Sequence, residues 1–232
     1  MNVASRVERG LSPVPGGDPA RVEHSLPPWA AGRPTLSELF AASPRDAGWA
    51  GFLLAGLDPA RPLLWVQERM AILEGGRVHP AGLGPAGRGL IHVEARDAKA
   101  ALWAMEEGLR CPALSAVIGE LWGDPPALDF TATRRLAVAA ERHGVAAFLI
   151  RLGGHANLSG ARFRWKLASA PSAAHPFDSR APGEPRWNAE LFRARGCQPG
   201  RWVVAGDGRQ DLLPVAAAAG DRTLDGDWRR HA

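Results

Sequence analysis

Cysteine is almost absent from this 232-residue sequence. Cys111 and Cys197 are the only two, which excludes a disulfide framework and a cysteine-built metal centre. Tyrosine is missing altogether, and lysine is reduced to Lys99 and Lys166, so nearly all positive charge is arginine. No apolar run approaches the ~20 residues of a membrane-spanning helix; the longest, Val145–Ile150 and Leu212–Ala219, fall far short. The stretch from Met1 to Gly17 lacks the apolar block of a secretory signal, and with so little cysteine a cytoplasmic setting is expected. Long basic runs are lacking too. The net charge is +4 and the pI about 10.0, yet no basic cluster exceeds a pair such as Arg134-Arg135, and acidic residues are interleaved throughout. That pattern reads as a solvated surface rather than a dedicated nucleic-acid groove, and supports at most a weak DNA contact.

What is present is a globular balance, 46% hydrophobic and 22% charged. Residues 1–33, rich in Pro, Gly and Arg without periodicity, read as a flexible lead-in. Residues 34–208 read as one domain, and 209–232 as a C-terminal segment with a charged tail. Inside the domain, strands are expected at Thr35–Phe40, Pro62–Gln67, Leu90–Glu94, Leu114–Leu121 and Val145–Leu152. Helices are expected at Ala47–Leu57, after Asp97, and from Asp129 to Gly144, with both aspartates as N-caps and Gly144 as the stop. Ala98, Ala101, Leu102, Met105 and Leu109 share one helical face, and Phe130, Ala137 and Ala140 share another. The glycine-punctuated stretch Met70–Gly89 reads as loop. Nearly continuous apolar strands alternating with helices imply a mostly parallel sheet covered on both faces. Later, Arg162–Ser169 alternates like a half-exposed strand, and Asn188–Arg195 with Arg201–Ala205 forms a hairpin candidate around Gly196–Gly200. These are expected to extend the sheet as antiparallel edge strands.

In such a fold the loop after the first strand is where phosphate binds, on backbone N–H groups at a helix start. The segment in that place is Ala41-Ala42-Ser43-Pro44-Arg45-Asp46-Ala47-Gly48. It has no lysine to bridge phosphates and no Ser/Thr at the magnesium position; Asp46 adds a negative charge and Pro44 removes a donor. Productive ATP binding is not expected there. Glu68 and Glu120 end apolar strands where an ATPase keeps carboxylates, but without a phosphate cradle they read as solvated strand ends. Ser159, His155 and Asp178 lack a nucleophile elbow, and His79, His92 and His143 lack metal-ligand spacing. The expectation is a protein that is not an enzyme and uses no cofactor or metal.

The nine tryptophans divide by place. Trp65, Trp103 and Trp122 fall on expected core elements and read as buried. Trp165, Trp187 and Trp202 fall on the later segments, each directly after Arg164, Arg186 or Arg201. Arginine and tryptophan are enriched at interface hot spots, which makes Arg164, Trp165, Trp187, Arg201 and Trp202 candidate partner contacts. Edge packing with arginine stems over the rings is the competing reading.

Four runs carry a family resemblance: Leu90–Cys111, Asp129–Gly144, Arg164–Ser172 and Pro185–Arg195. Together they resemble ImuA, a RecA-related accessory family of SOS mutagenesis, over roughly Thr35 to Ala205. The resemblance implies a RecA-like three-layer α/β fold. It also implies partners: the polymerase-like ImuB, an error-prone polymerase, and RecA itself, acting together in damage-induced translesion synthesis. Aligned by order, it places the recombinase phosphate loop at Ala41–Gly48, the catalytic glutamate at Glu68 and the DNA-binding loop at Gly153–Gly160. Arg151-Leu152 stands where the recombinase has a nucleotide-sensing Asn-Gln pair. A non-catalytic adaptor is the leading expectation; a weak DNA-dependent ATPase or recombinase, and a SulA-like inhibitor of cell division, are the alternatives.

Overall fold

In the computed structural model, residues 34–196, 198–206 and 212–217 are described. The lead-in at 1–33 and most of the C-terminal tail lie outside them. The apolar runs form nine strands in one sheet: β1 (Leu36–Ala41), β2 (Leu63–Glu68), β3 (Leu90–Ala95), β4 (Ala116–Trp122), β5 (Ala146–Leu152), β6 (Phe163–Ala170), β7 (Arg186–Ala194), β8 (Gly200–Gly206) and β9 (Leu212–Ala217). Their order is β3-β2-β4-β5-β1-β6-β7-β8-β9. Neighbours from β3 to β6 pair in parallel, and the β6–β7, β7–β8 and β8–β9 pairs are antiparallel.

Among the described residues four helices cover the sheet: α1 (Gly48–Leu54), α2 (Arg69–Gly75), α3 (Ala98–Gly108) and α4 (Phe130–His143). The first two pack on one face and the last two on the other, which gives the expected three-layer α/β arrangement. Alternate residues of the buried strands serve the two layers. Leu39, Trp65, Ile118 and Ile150 join Trp49 and Phe52 of α1, while Leu36, Val66, Val117 and Leu149 join Leu102, Met105, Leu136 and Ala140 of α3 and α4.

The helix starts follow their caps. The Asp97 carboxylate accepts from the Ala100 N–H at 2.8 Å, and that of Asp129 from the Ala132 N–H at 2.7 Å. Gly144, at φ 68°, closes α4 in the left-handed conformation that glycine adopts without strain.

Four expectations need correction. Met70–Gly89 is not loop: α2 and a 3-10 stretch (Pro80–Gly89) occupy it. Phe130 is on the wet side of α4, whose buried face is Ala132, Thr133, Leu136, Ala137 and Ala140. Trp103 is 65% exposed rather than core. The apolar stretch assigned to the C-terminal segment supplies β9, so the sheet runs past residue 208.

Candidate functional site

In a sheet of this kind, ligands meet the carboxyl ends of the parallel strands. At the end of β1 the loop from Ala41 to Gly48 is tied down by the Ala42 N–H donating to the Leu167 carbonyl at 2.8 Å. Asp46 then turns inward. Its carboxylate accepts from the Gly48 N–H at 2.9 Å, from the Ser169 N–H at 2.8 Å and from the Ser169 hydroxyl at 2.6 Å. Partial burial pushes this carboxyl up, but the bonds from Ser169 and Gly48 prevail and hold it below its ordinary value. Ala47 provides no side-chain cap, so the anion at the start of α1 is the chain's own Asp46. There is no slack: a Cβ on Gly48 would lie 2.3 Å from the Ser169 hydroxyl.

Glu68 and Glu120 are not solvated strand ends. Both are buried, 7% and 4% exposed. The Glu68 carboxylate accepts from the Trp122 N–H at 2.9 Å. Glu120 accepts from the Trp65 indole and from the Gln67 amide, the latter at 3.1 Å. Gln67 is held in turn: its amide nitrogen also donates to the Gly76 carbonyl, and its oxygen accepts from Val78 N–H and lies 3.0 Å from His92 Nε2. No cation contacts Glu120 among the described residues. Burial outweighs its two hydrogen bonds and pushes the carboxyl up to about 7.

A second charged cluster had not been singled out in the sequence. Glu38 of β1, fully buried, faces Arg164 of β6 at 2.7 Å and Arg151 of β5 at 3.5 Å. Arg151 continues to Asp124, which also accepts from the His155 N–H at 2.9 Å and meets His155 Nδ1 at 2.7 Å. Phe40 lies under both guanidinium groups, 5.5 Å from that of Arg151 and 5.3 Å from that of Arg164. The chain of charges runs from the sheet interior to His155, an exposed side chain. A signal was available: an acid inside an apolar strand, and arginines inside two others, must find one another when buried.

The five candidate partner contacts separate. Arg164, Trp165 and Trp187 are buried, at 3%, 1% and 5% exposure, so they are not surface contacts. The reason is that β6 is not an edge; it pairs with β1 on one side and β7 on the other. Trp165 stacks obliquely on Phe52 and Trp202, and Trp187 meets Phe52 edge-on. Trp202 is half-buried, and exposed Arg201 pairs with Glu190 at 3.3 Å. These two border an open groove of about 610 Å³ with Phe40, His155, Lys166 and Asn188. Ser159, His155 and Asp178 hold separate partners: the Ala161 N–H, Asp124 and the Arg180 N–H. Among the described residues no three His, Cys, Asp or Glu gather as a metal site, and no helix is long and apolar enough to cross a membrane.

No family model matches the chain. It is 37% identical over 165 residues to Protein ImuA of Caulobacter vibrioides, and equally so in strains NA1000 / CB15N and ATCC 19089 / CIP 103742 / CB 15. The match covers 66% of this chain and 64% of the relative. Among solved structures the RadB recombinase superposes with a TM-score of 0.49 at 13% identity, over 78% of this chain and 91% of that one. Over the part that aligns, which spans just under two thirds of the relatives' length, this chain is similar to the ImuA proteins.

Proposed function

We propose that this protein is a non-catalytic accessory factor of damage-induced, error-prone translesion DNA synthesis, an adaptor working in the cytoplasm without a cofactor. Its partners would be an ImuB-like polymerase-related protein, an error-prone polymerase and RecA. The observation that carries this reading is Asp46. The helix start that would receive a nucleotide phosphate is bonded to the chain's own carboxylate, while both layers around the sheet are fully packed. A negative group already seated on those donors opposes a second one. Such a fold serves as a binding platform. The test is association of the purified chain with a purified ImuB-like protein by size-exclusion chromatography at low salt. Co-elution is expected, and independent elution at all loadings refutes the adaptor.

The buried Glu68 and Glu120 favour one second reading, a weak DNA-dependent ATPase. If that reading holds, ATP with magnesium binds in the micromolar range and the Glu120→Ala variant loses it. Under the adaptor reading, millimolar ATP moves the melting temperature by less than about 1 °C.

A further inference from the structure

The α3–α4 side of the sheet carries a surface that no other element among the described residues covers. The outward walls of the two helices enclose an open groove of about 760 Å³. Along α4, Phe130, Arg134, Val138 and Arg142 recur every fourth residue and so form one ridge. Phe130 is 40% exposed and Val138 48%, so apolar and cationic side chains alternate along it in contact with water. Arg110, in the turn just after α3, adds positive charge at the rim, where His143 also lies. Glu106 is the groove's carboxylate, and Arg135 neutralises it at 2.9 Å. Arg134 and Arg142 have no acidic partner among the described residues. Beyond the groove Trp103, the most exposed tryptophan described, lies three residues from Glu106 and so on the same face of α3.

We propose that this groove is the docking site of an acidic amphipathic helix from a partner protein. The apolar side of such a helix would cover Phe130 and Val138, and its flanking carboxylates would reach Arg134 and Arg142, whose forked donors match them. A nucleic acid fits less well: a phosphodiester backbone offers nothing to bury Phe130 and Val138, and it would meet Glu106. The proposal goes beyond the adaptor reading and stands apart from it, because it specifies a surface and a chemistry rather than a named protein.

The probe is a fluorescein-labelled helical peptide of about 18 residues, with leucines on one face and glutamates flanking them, titrated against the full chain by anisotropy. Saturable binding is expected at tens of micromolar, weakened at least about tenfold by Arg134→Glu with Arg142→Glu and about fivefold by Val138→Asp. The same charge change placed elsewhere, Arg180→Glu with Arg193→Glu, leaves the affinity unchanged, and a scrambled peptide of identical composition binds about tenfold more weakly or not at all. Backbone amide shifts in the unmodified chain provide a readout independent of any variant's folding, and they should concentrate on Phe130–His143. The proposal is overturned by no saturation below about 500 μM, by equal binding of the scrambled peptide, by equal loss in the control pair, or by shifts elsewhere. Binding of a labelled oligothymidylate that alone depends on Arg134 and Arg142 overturns it in favour of a nucleic-acid surface.

Discussion

Glu120 is a carboxyl group buried against an indole and an amide, with a value near 7 in the fold against 4.5 for an ordinary glutamate. A raised acid favours the fold only in its neutral form. Stability is therefore untouched below about pH 4.5, falls as the pH climbs to about 7, and levels off above it. The loss amounts to about 3 kcal/mol at roughly 1.4 kcal/mol per pH unit. Glu120→Gln, neutral at every pH, should remove that slope, so denaturation midpoints at pH 5 and pH 8 converge in the variant and separate in the parent. Asp46 and Asp124, held low, act in the opposite sense and only at more acidic pH. At this scale the sequence was legible where chemistry is local. The caps at Asp97 and Asp129 depend on donors three residues away. It was illegible where partners are distant: Glu38 and Arg164 are separated by 126 positions, and only pairing of β1 with β6 brings them together.

Among the elements, the long strands and the capped helices could be read from periodicity because burial on one face imposes it. α2 could not. It has seven residues, no side-chain cap and only Ala71 buried, so its formation rests on β2 delivering the chain in the right direction. The Arg162–Ser169 segment was misplaced for a related reason. Its alternation of Arg and Trp looks half-exposed, and Lys166 is indeed exposed, but Arg164 is buried against Phe40, Phe192 and Glu38. The loop leading into β6 is fixed by Gly160, whose N–H donates to the Thr133 hydroxyl at 2.9 Å. A Cβ there would lie 2.6 Å from the Arg134 Cα, a backbone atom that cannot swing aside. Gly160→Ala should therefore cost about 1–3 kcal/mol, measured by chemical denaturation, through displacement of the loop from α4.

Over the whole molecule, the sheet grows asymmetrically. Its β3 side is a short parallel edge beside α3, whereas its other side continues through three antiparallel strands to β9. A chain ending after Gly206 would replace β9, an edge interrupted by Pro214, with β8, a proline-free edge whose N–H and C=O groups are open along its length. Such a truncation should self-associate by light scattering and melt about 5 °C lower, while a chain ending after Ala217, which keeps β9, should do neither. The aromatic packing has an optical consequence at the same scale. With no tyrosine in the chain, near-ultraviolet excitation falls almost wholly on indoles. Trp49 and Trp65, 5.6 Å apart, and Trp165 and Trp202, 6.2 Å apart, are close enough to exchange excitation and to give a strong near-ultraviolet dichroism that vanishes on unfolding. Trp103, set in water on the outer side of α3, emits further to the red and is open to collisional quenchers. Among the described residues the indoles thus report separately on the interior and on the outer helical face, distinguishable by wavelength without a label.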